Sequence, residues 1–224
     1  MKALAFDFNG TMYMDTDKHR QACDIFFQKY IGRPLAEEEF LHYACGPAIE
    51  NIMRHFFPQV TDAARITAFA EEKEAIYRRL CREDAAGLHL IEGLPETLDR
   101  LRARGVPMVI ATGAGRGNMD FYFEVFHLER WFDWQHIVYD DGTLAGKPDP
   151  DVYLRACARL GVVPADCVVV EDSYAGTESA NAAKVGAIIA ITATNSRETL
   201  AALPGVKAII DDYRGFEDVF ARFV

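Results

Sequence analysis

Apolar positions fall into two regimes along the chain. Short, nearly unbroken apolar runs occur at Ala3–Phe8, Val106–Ala111, Cys167–Val170, Gly186–Ile191 and Val206–Ile210. Runs of this length suit strands buried on both faces, as in a parallel sheet. From Gly93 onward they alternate with segments of helical spacing at 96–103, from Met119, and at 150–160, 175–184 and 216–223. Gly105 and Gly161 follow two of these segments as stop signals. The alternation predicts an α/β fold with a parallel sheet covered on both faces.

Between the first run and Gly93 the pattern is helical throughout. Segments 17–30, 36–44, 48–57 and 61–81 carry apolar residues at helical spacing, with Cys45-Gly46-Pro47 as a break and Thr61 or Asp62 as an N-cap. A helical block over residues 15–86 is therefore expected to interrupt a core of 1–14 and 87–224, with hinges near Met14–Asp17 and Ala85–Gly93. A glycine-rich turn, Gly113–Gly117, is expected between the second strand and its helix.

Half of the 224 residues are hydrophobic, enough for a sizeable core. The net charge of −10 argues against nucleic acid and anionic membranes as partners, since both select clustered Lys and Arg. No apolar run is long enough to span a membrane, and no signal peptide is evident. The five cysteines (Cys23, Cys45, Cys81, Cys157 and Cys167) are odd in number and lack a C-x-x-C pair, so they read as reduced thiols of a cytoplasmic protein.

Asp7 lies inside an apolar run, where a carboxylate is costly unless paired, hydrogen-bonded or metal-bound. Ligands of open parallel sheets bind beyond the carboxyl ends of the strands. That edge collects Asp7, Asn9 and Thr11 from the first strand, Thr112 and Gly113 from the second, and Glu171, Asp172 and Ser173 from the third, with Lys147 ahead of a helix. Three carboxylates are hard oxygen donors suited to Mg2+. The threonine hydroxyls and the backbone N–H groups of the glycine turn suit a phosphate, and Lys147 can neutralise its charge. A carboxylate in such a setting can attack phosphorus in line, because phosphoryl transfer depends mostly on positioning and charge stabilisation.

Asp7-Phe8-Asn9-Gly10-Thr11, Thr112, Lys147 within Gly-Lys-Pro-Asp-Pro-Asp, and Glu171-Asp172-Ser173 followed by Ala175-Gly176-Thr177 resemble, in order and placement, the four motifs of the haloacid dehalogenase superfamily. The resemblance runs from Ala3 to Ile191. It implies a Rossmann-like parallel-sheet core with an inserted helical cap, bound Mg2+, Asp7 as nucleophile, and phosphate-ester chemistry. It implies metal contacts from Asp7, Glu171, Asp172 and the main-chain carbonyl of Asn9.

The insert is similar to the cap of the β-phosphoglucomutase and phosphoglycolate phosphatase group. His19 stands where mutase-like members carry a hinge histidine, Lys73 resembles a substrate-contacting cap lysine, and Gly46-Pro47 resembles a substrate loop. The arginine that mutases place after that loop is absent: Ala48, Ile49 and Glu50 stand there. The expected partner is a small phosphorylated metabolite, and the expected state a monomer or weak homodimer.

Asn9 departs from the pattern, which has an aspartate serving as general acid and base. An amide cannot exchange a proton near neutral pH, and losing such a group costs about 10²–10⁴-fold in rate. Three readings follow: a phosphatase in which another group, His19 first, moves the proton; a variant that holds substrate or phosphoenzyme; or a binder of phosphorylated ligands without turnover. A mutase and a phosphonatase using Lys18 are further alternatives.

Overall fold

A computed structural model describes residues 2–44, 49–193 and 195–223, without the side chains of Leu41, His42 and Glu50. The Gly46-Pro47 loop, with Cys45 and Ala48, lies outside the described residues.

Among the described residues, six parallel strands form one sheet in the order β3-β2-β1-β4-β5-β6. They are β1 (Ala3–Phe6), β2 (Met108–Gly115), β3 (Val138–Asp140), β4 (Cys167–Glu171), β5 (Ala187–Ile191) and β6 (Val206–Ile210). Successive side chains of a strand point to opposite faces, and the apolar clusters divide accordingly. Leu4, Phe6, Ile110, Val168, Val170 and Ile189 pack on one face, and Ala5, Val109, Val169 and Ile188 on the other. The first face is covered by α5 (Leu94–Ala103), α6 (Arg116–Phe126) and α10 (Phe216–Phe220). The second is covered by α7 (Asp151–Leu160) and α8 (Tyr174–Ala182). Each fully buried aliphatic or aromatic side chain contributes about 1.5–3 kcal/mol relative to exposure, so both faces hold the sheet.

The helical block follows β1: α1 (Thr16–Ile31), α2 (Glu37–Glu39), a π-helical turn over Phe40–Ala44, α3 (Ile49–Phe56) and α4 (Ala63–Glu83). The Asp62 side chain caps α4 by accepting from the Ala64 N–H. The block has an apolar cluster of its own, including Phe26, Phe27, Ile52, Met53, Phe57 and Ile66. Lys18 joins its two ends, contacting Asp17 at 2.9 Å and Asp84 at 2.8 Å. That side chain is thereby tied to the hinge.

Three features differ from the sequence expectation. β2 runs on through Gly113 to Gly115 instead of ending at Thr112, because Gly115 still pairs with Asp140 of β3. The turn into α6 comes only at Arg116. The edge strand β3 and the short helix α9 (Arg197–Ala201) carry too few apolar residues to announce themselves. Cys23, Cys81, Cys157 and Cys167 are buried and form no disulfide, and among the described residues no helix is long and apolar enough to cross a membrane.

Candidate active site

Register explains why the carboxylates share one edge. Phe6 pairs with Val170 across β1 and β4, and the Asp7 N–H donates to the Val170 carbonyl at 3.0 Å. The next residues along, Asp7 and Glu171, therefore stand side by side at the edge of the sheet. Asp7, Glu171 and Asp172 are all buried, with one oxygen of each within 4.8 Å of the others.

Two glycines make room for them. Gly10 has φ +73°, and a Cβ there would lie 2.3 Å from Asp172 Oδ2. A Cβ on Gly176, in the first turn of α8, would lie 1.6 Å from Glu171 Oε1. Neither position accepts a side chain without displacing a carboxylate.

Lys147 arrives from the loop before α7. Its Nζ donates to Asp7 Oδ1 at 2.6 Å and to Glu171 Oε1 at 2.5 Å. Glu171 is held further by the Tyr153 hydroxyl at 2.8 Å, and its Oε2 accepts from the Asp172 and Ser173 N–H groups and the Ser173 hydroxyl. Burial alone would raise Glu171, but Lys147 and these donors outweigh it and hold its pKa below the usual range. Burial pushes Asp7 up to about 7, with Lys147 opposing and Glu171 adding to the rise. Burial would likewise favour a neutral Lys147, but the two carboxylates keep it protonated. One ammonium thus serves two acids.

Thr112 is buried at the end of the neighbouring strand, where its Oγ1 accepts from the Ala114 N–H at 3.1 Å. Gly113 is exposed. The Thr11 hydroxyl donates to Asp172 Oδ1 at 3.3 Å. These groups line the same edge as the carboxylates.

Asn9 lies beside a second cluster that includes residues the sequence did not single out. Its Nδ2 donates to Asp15 Oδ2 at 2.6 Å and to the Tyr122 hydroxyl at 2.7 Å. Asp15 is fully buried at the start of α1, where an acid reads as an N-cap, yet its side chain makes no capping bond there. It accepts instead from Asn9, the Tyr77 hydroxyl and the Gly10 N–H. His19 stacks on Tyr77 with ring centroids 3.9 Å apart. Lys73 Nζ lies 2.8 Å from His19 Nδ1. An ammonium can only donate, so Nδ1 accepts and the ring hydrogen sits on Nε2.

Lys73 is buried and also pairs with Glu74 at 2.9 Å. Glu74 accepts from Asn118 Nδ2 of α6 at 2.6 Å, and Arg78 donates to Asn118 Oδ1 at 2.8 Å. These bonds tie α4 to the first turn of α6. Trp131 donates to Asp99, and Arg116 lies over Trp134, so neither tryptophan joins the carboxylates.

Burial would raise Glu74, but Lys73 outweighs it and lowers the carboxyl to about 2. A carboxyl depressed on folding stabilises above its unfolded value near 4.5, and that contribution fades as pH falls toward 2. Glu74→Gln should therefore cost roughly 3 kcal/mol at pH 7. In urea titrations the gap from native should close progressively between pH 4.5 and pH 2. A gap independent of pH would mean that the charge of Glu74 contributes nothing.

Comparison with known proteins agrees with this architecture. The family model for haloacid dehalogenase-like hydrolases matches residues 1–184. Protein CbbY of Rhodobacter capsulatus is 31% identical over 194 residues, covering 84% of this chain and 85% of the relative. A phosphorylated carbohydrates phosphatase of Thermotoga maritima is 27% identical over 205 residues, covering 85% of each chain. Among solved structures, a family IA, variant 3 hydrolase of Entamoeba histolytica superposes with a TM-score of 0.85 at 33% identity, covering 95% of this chain and 94% of that one. With the match spanning Asp7, Lys147, Glu171 and Asp172, the chain belongs to the haloacid dehalogenase-like hydrolases.

Proposed function

We propose that the chain is a Mg2+-dependent hydrolase of small phosphomonoesters of the sugar-phosphate type, working through a phosphorylated Asp7. The observation that carries this reading is the bridge from Lys147 to Asp7 and Glu171 beside Asp172. The similarity to a phosphatase of phosphorylated carbohydrates supports the substrate class.

In this reading an Asp7 oxygen attacks phosphorus and the ester P–O bond breaks, so the alcohol leaves and takes up a proton. Water then cleaves the acyl phosphate, releasing inorganic phosphate and regenerating Asp7. Lys147 neutralises negative charge between Asp7 and the incoming phosphate. Thr11, Thr112 and the Gly113 N–H bind phosphate oxygens. Three buried carboxylates with converging oxygens fit a hard divalent cation; Asp7, Glu171, Asp172 and the main-chain carbonyl of Asn9 would hold Mg2+. The bound ion supplies charge neutralisation at the phosphate. Residues 15–86 serve as a cap that closes over substrate and excludes water, bringing His19 and Lys73 to its far side.

A second reading, a binder of phosphorylated ligands without turnover, is favoured by Asn9, whose two amide hydrogens are both donated. Phosphate release from a panel of sugar phosphates, with Mg2+ and with a chelator, separates the two. Release that requires Mg2+ is expected. No release across the panel, with a ligand-dependent rise in melting temperature, overturns the hydrolase in favour of the binder.

A further inference from the structure

Asn9, Tyr122, Tyr77 and Asp15 close a ring of hydrogen bonds. Asn9 Nδ2 contacts Asp15 Oδ2 at 2.6 Å and Tyr122 Oη at 2.7 Å. The two tyrosine hydroxyls lie 2.9 Å apart, and Tyr77 Oη donates to Asp15 Oδ2. The four side chains come from four places: the loop after β1, α6, α4 and the start of α1.

With Asp15 ionised, one placement of hydrogens serves all four contacts of the ring. Asn9 gives one hydrogen to Asp15 and the other to Tyr122. Tyr122 donates to Tyr77, and Tyr77 donates to Asp15. The ring thus has one group that only donates, one that only accepts, and two hydroxyls that pass the direction on. His19, with its hydrogen on Nε2, sits 3.5 Å from Asp15 Oδ2 and 3.3 Å from Asn9 Nδ2, and adds no acceptor.

We infer that Asn9 and Asp15 are a matched amide–carboxylate pair: Asp15 is the positioning residue for Asn9, and the acid at residue 15 is what requires an amide at residue 9. An aspartate at position 9 would set two carboxylates against each other, and the pair must either take up a proton or hold two buried negative charges in contact. Asp15 is fully buried, so water cannot relieve that contact. The exchanged pair, Asn9→Asp with Asp15→Asn, satisfies the ring again with all its hydrogens reversed. The amide now at position 15 donates to residue 9 and to Tyr77, Tyr77 to Tyr122, and Tyr122 to residue 9. The carbonyl oxygen of that amide still accepts from the Gly10 N–H, as Asp15 Oδ1 does in the native chain at 3.2 Å. The consequence for turnover rests on the hydrolase reading above: an acid can be restored at position 9 only if it is removed from position 15.

The test is a double-mutant cycle over Asn9→Asp, Asp15→Asn and their combination, read by melting temperature and by kcat and KM on the sugar-phosphate panel with Mg2+. Asn9→Asp alone should lower the melting temperature by about 4–8 °C and raise kcat no further than native. The combined variant should melt within about 2 °C of native and exceed the kcat of Asn9→Asp about tenfold or more with KM little changed. Equal or greater stability of Asn9→Asp, or a combined variant no more stable than it, overturns the pairing. If Asn9→Asp yields no folded protein, folding of the combined variant supports the pairing, and its failure where Asp15→Asn alone folds overturns it. Coupled stabilities with no phosphate release from any of the four proteins uphold the pairing and overturn the hydrolase reading instead.

Discussion

Asparagine in place of Asp7 should abolish Mg2+-dependent phosphate release, by about 10³-fold or more, while leaving the chain folded. The amide oxygen is a poor nucleophile, yet it can still accept the Lys147 bond that Asp7 Oδ1 accepts at 2.6 Å. The substitution also removes one of two acids competing for a single ammonium. Stability should therefore be unchanged or raised, and a urea unfolding curve beside the phosphate assay separates loss of chemistry from loss of fold. Turnover retained above about 1% of native would place the nucleophile elsewhere and remove the basis for a phosphorylated Asp7.

Lys147→Met should have the largest effect on stability. It leaves Asp7 and Glu171 buried against each other without the cation that now contacts both. Breaking a buried ion pair on one side costs about 3–5 kcal/mol, because the remaining charge is desolvated and uncompensated. Without Lys147 the two acids bind protons more readily in the folded chain than in the unfolded one. Stability of the variant should then fall as pH rises above about 4, and the gap from native should be widest at neutral pH. Mg2+ should recover part of the loss by supplying the missing positive charge. Urea titrations at several pH values, with and without Mg2+, measure both effects. A variant as stable as native at pH 7 without metal would show that the bridge does not hold this edge together.

The parts legible in the sequence were those with a local cause. Val168–Val170 and Ala3–Phe6 read as strands because their apolar runs are buried on both faces. Asp7, Glu171 and Asp172 were legible because acids at the ends of such runs must have partners. β3 escaped because three residues at a sheet edge carry little pattern. Gly113 and Gly115 read as a turn because glycine is a turn former, whereas pairing with Asp140 keeps the backbone extended there. Asp15 escaped for a different reason: an acid before a helix is the ordinary N-cap, and only its burial and its three donors show another use. Tyr77 and Tyr122 look like core aromatics on their helices, and the bond between their hydroxyls spans 45 residues of sequence.

The reach of Lys147 has a consequence for folding kinetics. Its bond to Asp7 closes a loop of 140 residues and its bond to Glu171 one of 24. The first spans the chain from β1 past β2, which pairs with β1 in the sheet. Closure of so long a loop is entropically costly and contributes to high contact order. No N-terminal fragment that stops short of β4 can assemble the three carboxylates, so cation binding at this edge would report that β4 is in place beside β1.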